Sequence, residues 1–230
     1  MIGIIGAMES EVGGLISLLD GRKKETHGGI EFNTGVILGT EVVIAKCGVG
    51  KAFGAMCAEA MIISYSPSLI INTGVGGALD PSLNTGDIVV SDSLCQHDMD
   101  TSPLGDPRGL VSGINKIYFE ADKKTVERLL SLGEELNIPV KSGRIASGDL
   151  FVADPEIGAR IRSEFGADVC EMEGCAIAQA AYVSDIPFVV VRAISDGANS
   201  DSGMDFPTFL ALAAERSTAL TLALISSLAP

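Results

Sequence analysis

Positive charge is scarce in this 230-residue chain: 16 lysines and arginines stand against 30 acids, a formal net charge of −14. Proteins that grip nucleic acid gather Lys and Arg on one face to release counterions, and anionic membrane surfaces draw in polybasic segments. Neither partner fits this balance. Histidine is nearly missing, with only His27 and His97. Neither stands beside a cysteine cluster, so no metal site is expected. The five cysteines (Cys47, Cys57, Cys95, Cys170 and Cys175) form no C-x-x-C pair and read as free thiols in a reducing compartment. No apolar run approaches the roughly 18 residues that a membrane span needs. The opening MIGIIGAM reaches Glu9 without a basic leader, unlike a secretory signal. The chain reads as cytoplasmic, acting on a small neutral or cationic ligand.

What is present is ordinary globular composition, 47% hydrophobic and 20% charged, in a length that suits one domain over residues 1–230. Short β-branched runs alternate with longer helical patterns. Residues 2–7, 68–73 and 186–194 are almost continuously apolar, as strands covered on both faces must be. Residues 30–38 and 41–47 predict a hairpin turning at Gly39 and Thr40, and 86–91 and 140–147 supply further strands. Helical spacing runs through 9–19, 51–64, 122–136, 155–165, 172–183 and about 206–228. Strand–helix alternation of this kind predicts an α/β fold, a mostly parallel sheet with helices on both faces.

Ligands of such sheets bind beyond the carboxyl ends of the strands, and four of those ends carry unusual residues. The first is Gly6-Ala7-Met8-Glu9-Ser10-Glu11, where Glu11 opens a helix as the helix dipole favours. The second, Cys47-Gly48-Val49-Gly50-Lys51, fails as a dinucleotide fingerprint and as a Walker loop, and a tight strand-to-helix turn explains it. The third, Asn72-Thr73-Gly74-Val75-Gly76-Gly77-Ala78, reads equally as a floor for a flat ligand or as a sharp turn. At the fourth, Arg192 and Asp196 end an apolar strand. They form either a structural ion pair or, for Asp196, a catalytic acid of raised pKa. Glu171-Met172-Glu173 then begins a helix of small residues, and its acids could be a dipole-favoured terminus only.

Taken together, IGIIGAMESE (2–11), GVGK (48–51), IINTGVGGAL (70–79), GDIVVSD (86–92), SGDLFV (147–152), EMEG (171–174) and PFVVVRAISD (187–196) resemble the 5′-methylthioadenosine/S-adenosylhomocysteine nucleosidase family of the nucleoside phosphorylase-like superfamily. The resemblance runs end to end. It implies a three-layer α/β/α sandwich with a mixed, mostly parallel twisted sheet, no metal, no organic cofactor, an adenine nucleoside as small-molecule partner, and a homodimer. Carried over by position, Asp196 resembles the general acid at adenine N7, Glu11 the residue activating water, and Glu173 the ligand of the ribose hydroxyls. Phe151 corresponds to the ring stacked on adenine and Val152 to the backbone that reads its edge. Met172 and Arg192 lie near the ribose, with Val75, Gly76 and Ser195 around them. Met8, Val49 and Phe206 match the apolar pocket for a 5′-alkylthio group, completed by a partner subunit around residues 98–110. Many relatives have Ser where this chain has Val75, and segment 95–118 departs from the better-known bacterial enzymes.

Three rival activities follow. A phosphorylase needs a cationic cradle for its dianion, and the family's Arg and Ser or Thr positions hold Asn72 and Val75 here. A sibling hydrolase would take an aminofutalosine-type substrate. A catalytically dead nucleoside binder would have no need of three acids at three strand ends.

Overall fold

The computed structural model describes residues 1–196 and 206–229; for Asp196 and residues 206–213 it describes the backbone only. The chain begins with β1 (Ile2–Gly6), α1 (Glu9–Ser17), β2 (Asp20–His27), β3 (Ile30–Ile37) and β4 (Thr40–Lys46). Helix α2 (Lys51–Tyr65), β5 (Leu69–Ala78), β6 (Ile88–Gln96), a 3-10 turn (Ser102–Leu104) and β7 (Phe119–Glu120) follow. The remainder is α3 (Lys123–Leu136), β8 (Val140–Ser147), α4 (Pro155–Phe165), β9 (Val169–Glu171), α5 (Gly174–Val183), β10 (Phe188–Asp196) and α6 (Phe206–Ser227).

Strands β4, β1, β5 and β10 run parallel through the middle of the sheet. Beyond them the sheet is mixed: β2–β3–β4 is an antiparallel meander, and β6 joins β10 antiparallel but β8 parallel. Because β5 pairs with β1, β9 and β10, one half of the sheet curls into a closed ring, β5–β10–β6–β8–β9. That ring gathers the ends of β5, β9 and β10 around one space, where the site lies.

Helices cover both faces. Ile2 and Ile4 of β1 point into a core with Val12 and Leu15 of α1, Leu129 of α3 and Leu220 and Leu224 of α6. Ile5 points the other way, into the core holding Cys57 and Met61 of α2 and Ile177 of α5. A smaller cluster under α4 joins Ile161 and Phe165 to Leu79 and Cys95. All five cysteines are buried. No helix among the described residues is long and apolar enough to cross a membrane.

The differences from the sequence pattern have physical causes. The hairpin turn shifts by one residue: Leu38 and Gly39 take positive φ, 49° and 85°, the backbone of a two-residue turn whose twist matches the strands. The polar run DGRKKETH forms edge strand β2, exposed on nearly every residue. Its charges guard an edge, so it lacks the apolar alternation that marks a half-buried strand. The glycine-rich segment 74–78 is neither a sharp turn nor a loop; it is the continuation of β5.

Candidate active site

Strand β1 runs straight into α1, and Met8 is the N-cap residue. Glu11 folds back over this junction. Its Oε2 accepts the Ala7 and Met8 amides at 2.7 and 2.9 Å, and Oε1 accepts the Val75 amide at 3.1 Å. The carboxylate is thus fixed by backbone from two strand ends, with 6% of the residue exposed. Glycine at 74 is what admits it, since a Cβ there would lie 2.5 Å from Glu11 Oε1. Residue 75 contributes its N–H to this clamp, whatever its side chain.

Two further acids flank the start of α5 and differ sharply. Glu171 is fully engaged: it accepts the Ser147 hydroxyl, the Glu173 amide at 3.1 Å and the Gly174 amide at 3.0 and 2.8 Å, and pairs with Arg192. Burial pushes its carboxyl upward, but the Arg192 guanidinium and these hydrogen bonds outweigh burial, so the net shift is down. The Glu173 carboxylate has one described hydrogen bond, from the Gly50 amide to Oε1 at 2.8 Å. Burial, the neighbouring Glu171 charge and Glu11 raise its pKa to about 7, against the lowering pull of Arg192 and the Gly50 amide.

Arg192 is 1% exposed and serves the interior. It donates to Asn72 Oδ1 at 2.5 Å, to the Asn72 and Val191 carbonyls at 3.4 and 3.0 Å, and to Glu171. Asn72 in turn donates to the Ile5 carbonyl at 2.9 Å. Arg192, expected near the ribose, therefore lies behind the cavity wall and outside its lining.

The cavity these elements enclose has a volume of about 290 Å3. Glu11 and Glu173 face it together, along with Met8, Val49, Val75, Gly76, Phe151, Val152, Met172 and Ser195 from the predicted set. Phe151 stands at the mouth, 68% exposed. The Asp196 side chain and the Phe206 side chain lie outside the described residues; the Asp196 backbone is registered against Gly77, which lines the cavity beside Ser195. Ala7, Leu150, Cys170 and Glu171 also line it and were not singled out from sequence for that role. Their neighbours in the motifs 2–11, 147–152 and 171–174 were the available signal. No group of three or more His, Cys, Asp or Glu side chains that could hold a metal occurs among the described residues.

Walls that are mostly apolar, three lining carboxylates of which Glu171 is paired with Arg192, and no lining Lys or Arg among the described residues define a class: an α/β protein with a pocket for a small uncharged or cationic ring system. The Phosphorylase superfamily model matches residues 1–226. A curated 5′-methylthioadenosine/S-adenosylhomocysteine nucleosidase of Staphylococcus aureus (strain MRSA252) is 40% identical over 229 residues, 99% of this chain and 100% of that protein. The corresponding Campylobacter jejuni nucleosidase structure superposes with a TM-score of 0.94 at 34% identity, covering 99% of both chains. That of Colwellia psychrerythraea 34H, solved with adenine, gives 0.92 at 37% identity over 99% of this chain and 95% of the other. A futalosine hydrolase of Helicobacter pylori gives 0.92 at 31% identity, over 99% and 97%. This chain belongs to the phosphorylase superfamily and, within it, to the 5′-methylthioadenosine/S-adenosylhomocysteine nucleosidase family.

Proposed function

We propose that this protein hydrolyses the N-glycosidic bond of 5′-methylthioadenosine and S-adenosylhomocysteine, releasing adenine and the 5′-thio-substituted ribose. The observation that carries the proposal is the convergence of Glu11 and Glu173 on a cavity whose nearest buried cation, Arg192, is already engaged by Glu171 and Asn72. A ribosyl group losing its base acquires positive oxocarbenium character, and preorganised carboxylates stabilise it as an oxyanion hole stabilises the opposite charge. A phosphate dianion in the same place would meet three lining acids, with the nearest guanidinium already engaged by Glu171 and Asn72.

The roles divide by environment. Asp196 is the general acid that protonates adenine N7, so that the base departs neutral; such help is typically worth about 10²–10⁴-fold. Its strand position beside Ser195 and opposite Gly77 supports that role. Glu173 holds the ribose hydroxyls, with Met172 beside it. Glu11 orients the attacking water and takes its proton. Three backbone amides occupy three of its roughly four lone-pair directions and leave one for that water. Phe151 stacks on adenine and the backbone at Val152 reads its edge. Val75, Gly76 and Ser195 line the ribose side, and Met8, Val49 and Phe206 form the 5′ pocket. Arg192 acts from behind, by holding Glu171. No metal and no organic cofactor enters any step.

The protein works as a homodimer in the cytoplasm, with residues 98–110 of one subunit closing the other's 5′ pocket. Phe53, Met56 and Ile63 share one face of α2 and are 50%, 52% and 73% exposed. An apolar stripe of that kind favours a partner, and scattered, buried cysteines suit a reducing compartment. Light-scattering mass of twice the chain would support the dimer.

Chromatographic detection of free adenine from each nucleoside in phosphate-free buffer tests the reaction. Adenine released without phosphate is expected. A strict phosphate requirement would make this a phosphorylase. Turnover of an aminofutalosine-type substrate with methylthioadenosine inert would select the sibling hydrolase, and adenine binding without turnover a dead binder.

A further inference from the structure

Beside the segments that line the cavity, a set of hydrogen bonds closes into a ring. Lys51, the first residue of α2, donates its amide to Asp149 Oδ1 at 2.8 Å. Its ammonium reaches Asp98 Oδ1 at 2.5 Å and Gln96 Oε1 at 3.0 Å. The other Asp98 oxygen accepts the Asp149 amide at 2.8 Å, which completes the circuit from Lys51 through Asp98 and Asp149 back to Lys51. Three segments far apart in sequence are joined: the turn entering α2, the residues after β6 and the loop after β8.

Two features tie this ring to the site. Gly50, adjacent to Lys51, donates the amide that holds Glu173, so the start of α2 binds one carboxylate of the cavity and one of the ring. Asp149 leads directly into Leu150, Phe151 and Val152, which line the cavity. Beneath this loop the His97 imidazole fills the space a Cβ at Gly148 would need, so the loop rests on a buried ring and is fastened at its next residue. A cation in the first turn of a helix is disfavoured by the dipole. Here Asp98 and Asp149 reverse that penalty. The Lys51 and Asp98 side chains are 17% and 29% exposed, so solvent screens the pair less than it screens an open surface pair.

We propose that Lys51, Asp98 and Asp149 are positioning residues that fix the 148–152 loop relative to Glu173, and so set affinity for the adenine base while leaving bond cleavage alone. The proposal rests on the assignment of Phe151 and Val152 to adenine. A misplaced loop weakens contacts made equally in ground and transition states, which raises KM and spares kcat.

The test uses the full-length protein with Lys51→Met, Lys51→Gln and Asp149→Asn, measuring kcat and KM for methylthioadenosine and calorimetric Kd for adenine. Lys51→Met should raise KM and the adenine Kd together by about tenfold, the equivalent of one lost charge-assisted hydrogen bond, with kcat within about threefold. Lys51→Gln keeps a donor at the end of the side chain and should recover part of the loss. Asp149→Asn keeps one acceptor oxygen for the Lys51 amide, should give a smaller rise, and preserves the test where Lys51→Met does not fold. Unchanged KM and adenine Kd, or a fall in kcat alone, would overturn the proposal. So would a KM rise that vanishes at high protein concentration, since that would assign the effect to assembly. Failure of the wild-type protein to bind adenine would instead remove the adenine assignment itself.

Discussion

Glu171 and Glu173 are two residues apart and live in opposite surroundings. Glu171 touches the cavity but belongs to a polar layer in its rear wall, where Arg192, the Ser147 hydroxyl and the Glu173 and Gly174 amides engage both of its oxygens. Glu173 belongs to the cavity face, with a single described donor and a pKa lifted to about 7 by burial and its acidic neighbours. One carboxylate is spent on holding the wall; the other is kept unsatisfied toward the space a substrate would fill. The rear layer also absorbs the one buried guanidinium, so the field entering the cavity is set by acids. A developing cation gains from that field and an anionic nucleophile does not.

The sharpest way to break this contrast is Arg192→Met, which leaves Glu171 buried and unpaired. Removing one partner of a buried pair costs about 3–5 kcal/mol. At about 2–4 °C per kcal/mol for a domain of this size, calorimetry should show melting fall by roughly 10 °C. A loss under about 1 kcal/mol would mean that the rear layer is not closed. Glu11→Gln tests the cavity face. The amide cannot deprotonate water and turns its NH2 toward at least one of the backbone donors that Glu11 accepts, so turnover should drop about 100- to 1000-fold and stability by about 1–3 kcal/mol. Unchanged steady-state rates would take Glu11 out of the mechanism.

Glu173→Gln gives a smaller effect with a pH signature. The folded pKa of about 7 lies above the ordinary glutamate value of 4.5, so folding favours the protonated acid. Its contribution is present below about pH 4.5 and is lost as pH rises through 7. The neutral amide avoids that loss. Glu173→Gln should therefore stabilise the ligand-free protein at pH 8 by on the order of 2 kcal/mol and leave it nearly unchanged at pH 4.5. Denaturant melts at the two pH values read the difference. Equal ΔΔG at both would place Glu173 in an ordinary solvated setting.

How much of this was legible in the sequence varies by residue. Continuous apolar runs revealed β1, β5 and β10, because strands covered on both faces cannot be polar. Strand β2 was hidden, since an edge strand kept charged for solubility resembles a loop in composition. Glu11 and Glu173 were visible as acids at strand and helix junctions, where the dipole alone would also put them. Only the family resemblance separated Glu173 from Glu171; the physical difference is made by Arg192, Ser147 and the Gly50 amide, brought there by the closed ring of strands. The Lys51–Asp98–Asp149 circuit was equally invisible, since its members are 47 and 51 positions apart along the chain.

The smallest predicted effect concerns the glycine segment at Val75, where the family resemblance leads one to expect Ser. If the side chain at this position served the ribose or the water, restoring the hydroxyl would change catalysis. The structure gives residue 75 a different task. Its amide donates to Glu11 at 3.1 Å, and its side chain packs against the core of α1 and α6 while bordering the cavity. Both residues can supply the same N–H from the same strand backbone. Val75→Ser should therefore leave kcat/KM within about threefold, less than 1 kcal/mol, and lower stability by roughly 1 kcal/mol through lost methyl contacts. A tenfold gain would show that a hydroxyl at this position does chemistry that the amide clamp on Glu11 does not.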